Sequence, residues 1–112
     1  MQTNTVTAEQ VKQYKLLDPL LDSLYREFQE LSKKKASEPV SKSKVKIVNR
    51  VLEPILALLQ EEPQREFLNL LDDDELPENS DVILMLGQFR AAMNSFETTY
   101  GGRSLNGWRL AN

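Results

Sequence analysis

Residues 82–96 read Val-Ile-Leu-Met-Leu-Gly-Gln-Phe-Arg-Ala-Ala-Met-Asn-Ser-Phe, a stretch whose single charge is Arg90. Val82, Met85, Leu86, Phe89, Met93 and Phe96 recur at three- and four-residue steps, the spacing of one helix face, and Tyr100 continues the stripe. The back of the same helix, taken at about 100° per residue, carries Leu84, Gly87, Ala91, Ser95 and Thr98. A surface helix ordinarily wears charge there. This one is small and uncharged, so it is either enclosed by its neighbours or presents a second face to a partner. The pattern predicts a cap at Asn79 or Ser80, with Asp81 at the positive end and Gly101 and Gly102 as the stop.

Working outward, Val45, Val48, Leu52, Ile55 and Leu59 share a face that Ile47 and Leu58 widen, which predicts a helix from about Ser43 to Gln60 with a kink at Pro54. Leu17, Leu20, Leu21, Leu24, Phe28 and Leu31 make a third amphipathic pattern over 18–34. Asp18 followed by Pro19 has the form of a cap plus first-turn proline, so 7–17, with the capping box Thr7 and Gln10, is expected as a separate or sharply kinked stretch. Pro63 can begin a short helix carrying Phe67, Leu68, Leu70 and Leu71. Strand alternation and solenoid repeats are missing from the pattern. The expected fold is therefore all-α, a compact bundle of four to five helices in a single domain over residues 1–101, followed by a flexible or docking tail over 102–112.

Composition agrees with one domain: 112 residues, 40% hydrophobic and 28% charged, suffice for a core without disulfides. Cysteine and histidine are both absent, which removes thiolate chemistry, imidazole bases and zinc held by either residue type within this chain. Met1–Thr7 has neither a basic region nor an apolar one, and no apolar run approaches membrane-spanning length. A cytoplasmic location without membrane contact is the expectation.

The net charge of −3 conceals a separation of sign. Between Lys33 and Arg50 seven basic residues face Glu38 alone, a balance of +6; between Glu61 and Asp81 nine acidic residues face Arg65 alone, a balance of −8. Such segments steer a charged partner or a second copy, or satisfy each other within the fold. Lys42, Lys46 and Arg50 share one side of their helix and suit phosphates as well as an acidic protein surface. Yet no aromatic residue lies between Phe28 and Phe67 to stack on a base, and the sequence pI is near 5.0.

The acidic run Asp72–Glu75 suits hard cations by residue type, but read as an EF-hand loop from Asp72 it places Pro77 at the glycine position and Ile83 at the closing glutamate. No metal is expected there. Glu61, Glu62 and Glu66, followed by Glu78, Asn79, Ser80 and Asp81, loosely resemble over about 20 residues the paired acidic motifs of all-α nucleotide pyrophosphohydrolases. That resemblance implies Mg²⁺ held by carboxylates of adjacent helices against a triphosphate. Pro63 interrupts the first element, and no basic cluster adjoins it in sequence. Trp108, the single tryptophan, either folds back onto the bundle or anchors in a partner's pocket, flanked by Leu105, Arg109 and Leu110, with Arg103 and Arg109 as rim contacts.

Together these features predict a non-catalytic helical interaction module without cofactor, which self-associates or joins a larger assembly. Its expected contacts are Leu84, Gly87 and Ala91 for packing, Lys42, Lys46 and Arg50 for a charged rim, and Trp108 as anchor. Nucleic-acid binding through 33–50 and Mg²⁺-dependent nucleotide hydrolysis are the alternatives.

Overall fold

Thr7 and Gln10 open the first helix, as their spacing predicts. In the computed structural model of the chain, which describes residues 5–101 and 107–111, Thr7 Oγ1 accepts the Gln10 amide at 3.1 Å and Gln10 Oε1 accepts the Thr7 amide at 2.8 Å. Helix α1 then runs unbroken over Ala8–Lys35. Pro19 supplies no amide to the Lys15 carbonyl, and an interior proline costs about 3 kcal/mol against alanine. The helix continues because Val11, Tyr14, Leu17, Leu21 and Phe28 bury along it. Each such apolar side chain taken from water contributes roughly 1.5–3 kcal/mol, so several outweigh one proline.

Ser41 Oγ accepts the Lys44 amide at 3.3 Å and starts α2, Lys42–Leu58, which carries Pro54 within it. The chain next forms a single 3-10 turn, Pro63–Phe67, none of whose residues is buried. Leu68 and Leu71, expected on a short helix, instead lie buried in irregular chain that returns along the bundle. Helix α3, Asn79–Tyr100, follows. The described residues thus hold three α-helices rather than four to five, and no strand. Both differences have one origin: tertiary burial overrode a local proline signal at Pro19, while 63–67 has no apolar face to bury. The all-α class holds. None of these helices is long and apolar enough to cross a membrane.

Helix α1 is the spine, packed along most of α3 and, over a shorter length, α2. Both partners run antiparallel to it. At one end the carbonyls left unpaired by the end of α1 meet the amides left unpaired by the start of α3: Ser80 N–H donates to Ala36 O at 3.0 Å, and the buried Asn79 side chain donates to Lys35 O at 2.9 Å. Asn79 N–H donates to Glu38 O at 3.0 Å, and Val40 N–H to Pro77 O at 2.8 Å. Midway, Asn49 of α2 clamps the returning chain, donating to Leu71 O at 3.0 Å and accepting the Leu71 amide at 2.9 Å.

At the opposite end Tyr14, Phe96, Tyr100 and Trp108 form an aromatic cluster with centroid separations of 4.9–5.9 Å. Two backbone bonds flank Val6 there: its amide donates to Arg109 O at 2.9 Å, and its carbonyl accepts the Ala111 amide at 2.6 Å. The central core between these ends includes Leu21, Val45, Leu52, Ile55, Leu86, Phe89 and Met93, all fully buried.

Two substitutions test this account. Asn79→Ala removes the side-chain bond to the Lys35 carbonyl, which keeps the Glu38 amide at 3.2 Å, and lowers unfolding stability by about 0.5–1.5 kcal/mol in a urea titration. Pro19→Ala, at an exposed position, restores an interior helical hydrogen bond and raises stability by up to about 3 kcal/mol.

Candidate functional site

The outward side of α3 brings together the three packing residues singled out from the sequence. Leu84, Gly87 and Ala91 line one shallow groove with Tyr25 of α1 and with Ser80, Ile83 and Gln88. Leu84 is 68% exposed, the most exposed of the large apolar side chains in the described residues. A Cβ built on Gly87 would meet the Tyr25 ring at 3.7 Å, ordinary contact, so the glycine is not demanded by the α1–α3 approach. Its effect is to leave the Tyr25 ring accessible from the groove.

Arg90, the lone charge of 82–96, folds back over α1. Its guanidinium lies 4.2 Å from the Tyr25 ring centroid and 3.1 Å from an Asp22 carboxylate oxygen, which also leaves Asp22 3.0 Å from Arg26. The groove therefore stays apolar although an arginine borders it. Beyond Arg90 and Ala91 the surface becomes a polar cleft of 310 Å³ lined by Asp18, Asp22 and Asn94. Burial pushes the Asp18 carboxyl above its ordinary range, and the negative charges of Glu97 and Asp22 add to this against the opposing pull of Arg90. The Tyr14 hydroxyl is raised by burial and by Asp18 and Glu97. Among the described residues neither Asp18 nor Glu97 has an ion-pair partner.

Lys42, Lys46 and Arg50 are exposed on α2 and line none of this groove. The structure places something else beside them. Leu71 is tied to Asn49, and Pro77 and Glu78 are tied to Val40 and Pro39, so residues 72–76 must pass along the first turns of α2. Lys42 and Lys46 lie within about 60° of Asn49 around the helix. The acidic and basic segments are thus neighbours, although no ion pair within 4.0 Å joins them among the described residues. Asp72 accepts the amides of Asp74 and Glu75 at 2.8 and 3.2 Å, which holds its carboxyl below the usual range. A phosphate approaching Lys42 and Lys46 meets this acidic turn.

Trp108 packs into the aromatic cluster, 4.9 Å from Tyr14 and 5.9 Å from Phe96, and is half-buried. Of its flanks, Arg109 donates to Thr99 O at 3.2 Å and Leu110 is exposed, whereas Arg103 and Leu105 lie outside the described residues. The carboxylates that resemble a pyrophosphohydrolase motif do not meet: Glu62 accepts the Tyr100 hydroxyl at 2.9 Å at one end of α3, while Asp81 binds the Glu78 amide at the other. Roughly 28 Å of helix lies between Asp81 and Tyr100.

Tyr25, the cleft residues Asp18 and Asp22, and nearby Glu97 were not singled out from the sequence as site residues. A faint signal was present, two acids one turn apart on α1 and a solitary arginine on α3, but nothing local shows that they face one another. A second apolar crevice of 190 Å³ lies between α1 and α2, bordered by Leu24, Phe28, Leu31, Lys44 and a 54% exposed Ile47.

Because the folded state favours protonated Asp18, its ionisation opposes folding, and that cost appears as pH rises from the ordinary carboxylate range through the raised value. Asp18→Asn should therefore melt above the parent at pH 7, and the gap should narrow as pH falls towards 4, read by thermal unfolding monitored by circular dichroism.

Compared with known proteins, the chain matches no family model, no curated protein and no solved structure.

Proposed function

We propose that this protein is a non-catalytic interaction module that holds another polypeptide on the outer face of α3 and the adjoining side of α1. The observation that carries this reading is Leu84, 68% exposed at the centre of a helix face that bears no free charge. Single exposed leucines are ordinary. Here the leucine is joined by the accessible Tyr25 ring, Ile83 and Ala91 in one concave strip, and Arg90, the lone charge of 82–96, is turned away onto Asp22. Small residues at Gly87 and Ala91 let a partner's backbone approach closely.

The charged rim expected from Lys42, Lys46 and Arg50 has no part in this face, and the acidic turn beside two of them speaks against phosphate partners. Trp108 stabilises the far end of the bundle from within the aromatic cluster. Docking is therefore ascribed to Leu84, Gly87, Ala91 and Tyr25.

Gly87→Glu plants a charged side chain in the apolar strip, whereas Gly87→Ala adds a methyl at ordinary contact distance. Proteins cross-linked to the parent in extracts of its native host should be retained by Gly87→Ala and lost at least tenfold with Gly87→Glu, which should keep the parent's helical circular dichroism. An unchanged set of cross-linked species and unchanged mass by light scattering for Gly87→Glu would defeat the reading.

A further inference from the structure

The apolar strip and the polar cleft are one surface. Ala91 borders both, so the groove that begins at Ser80 and Leu84 opens directly onto Asp18, Asp22 and Asn94. Charge within the cleft is unbalanced. Asp22 is occupied by Arg26 and Arg90, while Asp18 has no ion-pair partner among the described residues and Glu97 adds a second negative charge close by. Burial is the main cause of the upward push on the Asp18 carboxyl, and the negative charges of Glu97 and Asp22 add to it. The surface lacks one cation. A long cationic side chain can place its charge on the Asp18 side while its stem lies against Ala91.

The shape favours a helix as occupant. Ser80, Leu84, Gly87 and Ala91 lie along α3 over about 17 Å, some three turns, with Gly87 near its centre. Granting the docking face proposed above, we infer that its occupant is a basic amphipathic helix of a different protein, with apolar side chains on Tyr25, Leu84 and Gly87 and a lysine or arginine entering the cleft between Asp18 and Glu97. A second copy fits less well: the basic stretch of this chain is α2, and residues 72–76 pass along its Asn49 side.

Fluorescence anisotropy with two labelled 18-residue model helices tests this on the full chain. Both carry the same leucine and alanine face; the other positions are lysine in one and glutamate in its counterpart. At low salt the lysine helix should bind at least tenfold more tightly than the glutamate helix, and the preference should shrink as salt rises. Asp18→Asn with Glu97→Gln should abolish the preference. Asp73→Asn with Asp74→Asn changes the net charge equally at a remote, exposed turn and should leave it intact. Leu84→Ala should weaken both helices. Loss of preference in both double variants, or equal affinity of the two helices in the parent, overturns the basic occupant while a Leu84 effect keeps the docking face. No Leu84 effect on either helix overturns the face itself. A dimer by light scattering that excludes both helices assigns the face to a second copy and overturns the inference.

Discussion

The last carbonyls of α1 and the first amides of α3 satisfy one another, and the remaining geometry follows from that junction. A helix end left alone exposes donors or acceptors that water or side chains must pair. Here Ala36 O receives the Ser80 amide and Lys35 O receives the Asn79 side chain, so two ends of opposite dipole are joined at little cost. Two antiparallel helices fixed at one end, with the same rise per residue, have a fixed register: residue numbers that sum to about 115 lie at the same level. That rule brings Tyr25 to Arg90 and Asp18 to Glu97. The groove and the cleft are consequences of a contact made at the end of the bundle.

Sequence periodicity was a sound guide wherever a helix buries a continuous stripe. The apolar faces of α2 and α3 were legible, as were the Thr7 capping box and the small, uncharged back of α3. Local proline signals were less reliable. Asp18–Pro19 has the form of a helix start, but the side chains on either side of it bury against common neighbours, and that gain is invisible to a short window. Leu68 and Leu71 have the residue types of a helix and instead fill gaps along the bundle from irregular chain, because Asn49 clamps them there.

The site was half legible for the same reason. Leu84, Gly87 and Ala91 belong to one helix, so their common face could be read directly. Tyr25, Asp18 and Asp22 join them only through the α1–α3 register, which depends on contacts across more than forty positions. The two charge blocks were visible as blocks, yet their adjacency depends on the return of the chain from Leu71 to Pro77. Arg90 shows the limit most clearly: its sequence position marks it as an interruption of an apolar face, and its side chain removes that interruption by turning onto Tyr25 and Asp22.

The pairing of Val6 with Arg109 and Ala111 draws residues from both extremes of the chain to one pole, while the turn joining α1 to α2 stands at the other pole of a body 47 Å long. Residues 6 and 109–111 are thus held side by side by backbone bonds, and the flank bearing Leu84 runs lengthwise between that pole and the turn.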